Sequence, residues 1–212
     1  MKRESDTKQK ILDAAQYLFA REGFKGTSLR EITGMAGVNI AAINYHFGSK
    51  EALLKAVLER KLIPLNEIRM ERLRRVAYAA RKRGTAPMVK DLLLAFIEPT
   101  FQLKDKSPDA SDFIVLVGRA FYDSDDTVRR AFIELVWPLY ELIVKVFREA
   151  LPQIPKQVLI WRLHFLFGSL SHVMLLCGST FYAEIKEFPL ATDTKTVMRI
   201  LIPFMTAGIE SK

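Results

Sequence analysis

The side chains that most often carry catalysis or hold metals are scarce in this sequence. Histidine occurs three times, at His46, His164 and His172, and cysteine once, at Cys177. A zinc site needs several such ligands converging on one point, and His164, His172 and Cys177 do not share one helical face. P-loop, GxSxG and CxxC patterns are absent. No metal, no cofactor and no enzymatic reaction are therefore expected. What the chain does concentrate is positive charge. Residues 1–100 hold 19 Lys and Arg against 11 Asp and Glu, while residues 101–212 hold 13 of each, so the net charge of +8 lies entirely in the first part. That distribution suits a surface facing a polyanion. Residues 60–83 alone carry 9 basic and 2 acidic groups, for which a solvated helix face is the competing explanation.

The elements that must position these charges read as helices. Half of the 212 residues are hydrophobic, only 10 Gly and 9 Pro occur, and strand-like alternation of Val, Ile and Thr is missing. A single cysteine gives no disulfide framework and points to a reducing compartment. The N-terminal MKRESDTKQK is polar, without the apolar core of an export signal. The longest apolar run, Leu163 to Cys177, is too short to span a bilayer and carries His164, Ser169, Ser171 and His172. A soluble, cytoplasmic protein without a membrane partner is expected.

Along the chain, Ile11, Ala14, Ala15, Leu18 and Phe19 form one stripe of a helix from Asp6 to about Glu22, which Gly23 should end. Ser28 and Glu31 have the spacing of a capping box, opening a short helix that reaches Ala36. Gly37 allows a sharp turn, and Asn39 suits the N-cap of a second short helix, Ile40 to His46. With Ile32, Ala36, Val38 and Ile43 facing inward, these two helices make a helix-turn-helix whose exposed face fits a major groove. From Lys50 the helical pattern continues to about Arg83, with a break expected near Pro64. Pro87 should occupy the first position of the following helix. Further helices are expected at about 87–103, 109–122, 126–150 (kinked at Pro138), 155–177 and 194–209.

The segment from Leu12 to Leu53 resembles the DNA-binding domain of the TetR family of regulators. The pattern appears as Ala15, Leu18, Phe19, Gly23, Thr27, Ile32, Ala36, Gly37, Val38, Tyr45, His46, Phe47 and Lys50. Thr33, Asn39 and Asn44 depart from it, where alanine, serine and often tyrosine are usual. The resemblance implies an all-α fold, with a three-helix helix-turn-helix domain at residues 1–50 and a helical effector-binding and dimerisation bundle at 51–212. It implies double-stranded operator DNA as partner. Ser28, Arg30, Asn39, Ile40, Ala41, Ala42 and Asn44 would lie on the DNA side, with Asn44 able to bond adenine and Ala41 or Ala42 to meet a thymine methyl. Tyr45, His46 and Lys50 would hold phosphates. His46 packed at the helix junction and Lys50 solvated in its first turn are the alternatives. A lysine beside the positive end of a helix calls for a nearby anion.

The remainder is too apolar for a spacer. The last two long helices carry Leu159, Leu163, Leu166, Phe167, Leu170, Val173 and Met174, then Val197, Ile200, Leu201, Phe204, Met205 and Gly208, more than one face each. The surplus suggests a homodimer interface, which the family builds as a four-helix bundle. Residues 161–174 and 200–209 further resemble fatty-acid-responsive repressors of β-oxidation genes. That implies a small hydrophobic or acyl ligand, such as a long-chain fatty acid or its coenzyme A thioester. A regulator of efflux or other stress genes with a different hydrophobic ligand is the alternative. Arg119 interrupts the apolar run Phe113–Tyr122 and could meet a carboxylate, unless it pairs with an internal acid. Phe101, Phe121, Tyr122, Trp137, Tyr140, His164 and Met174 could line a pocket or be plain core. The basic stretch 60–83 could then attract coenzyme A phosphates or supplement DNA binding.

Overall fold

A computed structural model describes residues 2–120, 126–177 and 193–211, and every regular element among them is an α-helix. In chain order these are α1 (Lys2–Gly26), α2 (Leu29–Ala36), α3 (Ile40–His46), α4 (Lys50–Lys82), α5 (Val89–Lys104), α6 (Pro108–Ala120), α7 (Asp126–Ala150), α8 (Lys156–Cys177) and α9 (Thr194–Glu210).

Ile11, Ala15 and Phe19 of α1 close over Ile32 of α2, Ile43 of α3 and Leu53, Leu54 and Val57 of α4, all fully buried. Burial on this scale contributes about 1.5–3 kcal/mol for each large side chain, enough to hold two helices as short as α2 and α3. The same core continues without interruption along α4, which packs against α1, α5 and α7. Helix α6 crosses both α1 and α8, and α9 packs on α5 and α8. At the α6–α8 crossing, a Cβ on Gly118 would come within 3.1 Å of the Ser171 carbonyl oxygen and 3.2 Å of Leu175. The Ser171 hydroxyl donates to the Gly118 carbonyl at 2.7 Å, fixing that approach.

Three expectations need correction. Gly23 does take a non-helical backbone (φ 76°, ψ 171°), but a last helical stretch follows it to Gly26. Pro64 does not break α4. It lies on the exposed side, so water can replace the ladder bond that proline removes. Pro87 precedes the N-cap, Met88, rather than occupying the first helical position. By length and composition alone the longer span Lys156–Leu176 of α8 would also be apolar enough to cross a membrane, a property it shares with core helices, and a third of that window is buried inside the protein.

Helix α7 runs through Pro138, and α5 likewise contains Pro99. Both prolines are answered from α4. The Asn66 amide donates to the Leu135 carbonyl at 3.1 Å, three residues before Pro138. Arg69 Nε donates to the Phe96 carbonyl at 3.1 Å, three residues before Pro99. Proline loosens the helical ladder in the preceding turn, and α4 supplies donors at both places.

Candidate nucleic-acid interface and effector cavity

Local chemistry builds the first site. Ser28 Oγ accepts from the Glu31 N–H at 3.2 Å, while Glu31 Oε2 accepts from the Ser28 N–H at 2.6 Å, completing the capping box. Those backbone and hydroxyl hydrogen bonds from Ser28 hold the Glu31 carboxyl below the usual carboxylate value. Gly37 takes the left-handed conformation (φ 65°), and the Val38 N–H reaches back to the Thr33 carbonyl at 3.1 Å. Asn39 Oδ1 accepts from the Ala42 N–H at 3.0 Å and starts α3. Ser49 Oγ accepts from the Ala52 N–H at 3.1 Å and starts α4. Thr33, one of the departures from the family pattern, is buried, and its hydroxyl donates to the Arg30 carbonyl at 2.9 Å.

The outward side of α2 and α3 presents Ser28, Arg30, Asn39, Ile40, Ala41, Asn44 and Tyr45, all exposed, with Tyr45 at 75%. Ala42 is half-buried against the core, which limits its reach to a base. His46 is half-buried beside Tyr45 and Phe47, with ring centroids 5.0 and 6.1 Å away. Lys50 answers its helix-end charge inside the molecule. Its ammonium donates to the Phe24 carbonyl at the end of α1 and lies 4.4 Å from the Phe24 ring centroid. A phosphate is therefore not required to explain a cation at that position.

The basic stretch 60–83 is largely engaged with the protein's own acids. Arg60 pairs with Asp13, Lys61 with Asp109, Arg72 with Glu98, Arg75 with Glu71 and Arg81 with Glu149. Two of these pairs knit α4 to α1 and α6. Gln16, 1% exposed, joins them by donating to the Asp109 carbonyl at 2.7 Å and accepting from Arg60 at 2.8 Å.

The second site is a cavity of about 480 Å³ between α4, α5, α6, α7 and α8, within the size range of small-molecule pockets. Trp137, Tyr140, His164 and Met174 are among the residues that line it. Tyr140 stacks on Trp137 at 5.5 Å and approaches His164 and Phe167 at 6.2 and 6.0 Å. Phe101 does not line it; it is 1% exposed in the core. Arg119 is also corrected, being exposed and donating to the Arg21 carbonyl at 3.0 Å, where it ties α6 to α1. Phe121 and Tyr122 lie outside the described residues. The residue that sequence reasoning missed is Arg69, a buried member of the wall. It falls within the basic stretch, yet shares the buried stripe of Leu62, Leu65 and Leu73, a register the sequence already contains. Among the described residues no group of three His, Cys, Asp or Glu is placed to hold a metal.

Residues 94–208 match the family model described as tetracyclin repressor-like, C-terminal domain, and residues 11–57 match that of bacterial regulatory proteins, tetR family. The chain is 33% identical to the HTH-type transcriptional regulator AcrR of Shigella flexneri over 96 residues, 45% of this chain and 42% of that protein. Its alignments with the first curated relatives span 24% to 63% of their lengths. Among solved structures, it resembles NalD, the secondary repressor of the MexAB-OprM multidrug efflux pump in Pseudomonas aeruginosa. The TM-score is 0.65 at 23% identity, covering 98% of both chains. It also resembles the transcriptional regulator FadR from Bacillus subtilis in complex with stearoyl-CoA, with TM-score 0.62 at 16% identity over 95% of this chain and 99% of that one. At these identities the likeness is one of fold.

Proposed function

Because this chain belongs to the TetR family of bacterial regulatory proteins, we propose that it is a transcriptional repressor that binds operator DNA and leaves it when a small hydrophobic ligand fills the cavity. The observation that carries the reading is the exposed face of α3, started by the Asn39 side-chain cap, followed by the Ser49 cap that starts α4, and offering Ile40, Ala41, Asn44 and Tyr45 outward. A helix so presented fits a major groove. Residues 1–50 take the DNA, and residues 51–212 hold the ligand and the partner subunit.

The partner is a second copy of this chain. Val158, Trp161 and Phe165 of α8, with Ile200 and Phe204 of α9, are 40% to 67% exposed. On each helix these residues recur at three- or four-residue spacing, as a stripe meant to be covered. Pairing α8 and α9 with their copies gives a two-fold assembly with two recognition helices. Such a regulator works in the cytoplasm, where its DNA is.

For the ligand, the resemblance of residues 161–174 and 200–209 and the stearoyl-CoA bound to the similarly folded FadR favour a long-chain fatty acid or its coenzyme A thioester. The similarly folded NalD, named as repressor of a multidrug efflux pump, favours the second reading, an efflux regulator with another hydrophobic ligand. Either ligand must bind the DNA-incompetent state more tightly than the DNA-bound one. The route runs through α4 and α6, which both line the cavity and both bond α1 through the Gln16–Asp109–Arg60 cluster.

Fluorescence anisotropy of the purified protein on a labelled duplex from upstream of its own gene tests the proposal. Nanomolar binding, falling steeply with salt and reversed by palmitate or by palmitoyl-CoA, is the expected result. Binding that both the acid and the thioester leave intact would pass the effector role to the second reading. No preference for any upstream duplex over random DNA would remove the repressor reading itself.

A further inference from the structure

Arg69 forms part of the cavity wall and is 5% exposed. Every partner it has among the described residues is neutral. Nε donates to the Phe96 carbonyl at 3.1 Å, Nη1 to Asn66 Oδ1 at 3.0 Å and Nη2 to Thr100 Oγ1. The guanidinium also lies 4.8 Å from the Phe96 ring centroid. A guanidinium carries five N–H donors, so two are left over. No carboxylate among the described residues lines the cavity. Burial alone draws the Arg69 pKa down to about 9, with no opposite charge contributing. At neutral pH the group is still a cation. Buried arginines ordinarily pair with an acid, since an uncompensated charge in a low-dielectric interior is costly. The other arginine of the wall, Arg129, shows the contrast: it is exposed and bonded to Asp126. Around Arg69 the cavity is otherwise apolar and aromatic, with Phe132, Trp137, Tyr140 and Phe167.

We propose that the cavity binds a hydrophobic molecule ending in a carboxylate, and that Arg69 is the counter-ion of that carboxylate. The assignment rests on the reading of the cavity as the effector site, and it narrows that reading. A planar guanidinium with two free donors suits a carboxylate held through both oxygens. A neutral ligand of equal length leaves those donors unanswered. An acyl thioester presents no charge at the same end of its chain. The acid is thus preferred to both.

Dodecanoate, dodecanol, methyl dodecanoate and dodecanoyl-CoA are titrated separately into the purified protein, with binding read by isothermal titration calorimetry. The expected result is that the acid binds roughly 10- to 100-fold more tightly than the alcohol or the ester, the span of a charge-assisted hydrogen-bonded pair. In Arg69→Met the acid should fall to the affinity of the ester, whose own affinity should change by less than about threefold. Arg69→Lys, which keeps the charge without the fork, should retain part of the preference. The ratio of acid to ester in the unaltered protein needs no variant, so a misfolded substitution leaves the test intact. Equal affinity for acid and ester would overturn the carboxylate assignment while leaving the cavity as effector site. A thioester that outcompetes the acid and is indifferent to Arg69→Met would overturn it as well. No binding by any of the four, in protein that still holds its operator, would overturn the assignment together with the acyl reading of the cavity, leaving it to another hydrophobic ligand.

Discussion

Asn44 and Lys50 stand six residues apart on opposite sides of a short turn and relate differently to the rest of the chain. Asn44 is exposed on the outward face of α3, with its side chain available for a base edge. Lys50 is half-buried and spends its ammonium on the Phe24 carbonyl and ring. The two substitutions should therefore separate. Asn44→Ala should cost about 1–3 kcal/mol on the operator and relax preference at one base pair, as read by anisotropy on duplexes altered one position at a time. Lys50→Ala should instead lower the melting temperature, because it removes the tie between the end of α1 and the start of α4. A calorimetric scan without DNA checks that outcome; an unchanged transition with a reduced salt slope on DNA would return Lys50 to the phosphate contacts. Arg69 and Arg119 show why single side chains are the hardest scale to read in a sequence. Arg119 sits in an apolar run but on the exposed side of α6, whereas Arg69 sits in a charged run but in register with Leu62, Leu65 and Leu73. Composition over a window misplaces both, while helical register would have placed each.

At the scale of the helix, the α6–α8 crossing is set by what Gly118 lacks. With the Ser171 carbonyl oxygen 3.1 Å and Leu175 3.2 Å from where a Cβ would lie, no flexible tip is available to yield at the nearer contact. Gly118→Val should destabilise the fold by about 1–3 kcal/mol through overpacking, despite valine's better helix propensity. Urea unfolding monitored by circular dichroism measures the change, and an unaltered midpoint would mean that α6 and α8 move apart freely. The helices themselves were legible in the sequence wherever their ends are decided locally. Ser28, Glu31, Gly37, Asn39 and Ser49 act within four residues of themselves, and α2 and α3 begin and end as those residues require. Pro64 was misleading because its effect depends on which side of α4 it faces. That is settled by packing against α5 and α7, distant in sequence. The cavity was legible only in part for the same reason. Trp137, Tyr140 and His164 line it while Phe101 does not, and nothing in an aromatic side chain distinguishes a wall from a core.

Across the whole molecule, the exposed stripe of Val158, Trp161, Phe165, Ile200 and Phe204 is the surface that would convert one DNA-binding unit into two. Phe165→Asp together with Phe204→Asp should yield a monomer by sedimentation velocity and abolish high-affinity binding to a palindromic duplex, with helical content kept. A double variant that still sediments as a dimer would place the interface elsewhere. Three of the five helices bounding the cavity share one more property. Pro64 in α4, Pro99 in α5 and Pro138 in α7 each leave a missing rung in an otherwise continuous ladder, and in the turn before two of them a side chain of α4, Asn66 or Arg69, donates to a carbonyl. In mechanical terms these are compliant joints in three adjacent beams, where a wall bends before any regular backbone bond has to break. If those joints let the chamber lengthen, its guests would be sorted less by how long they are than by what they carry at the end that reaches Arg69.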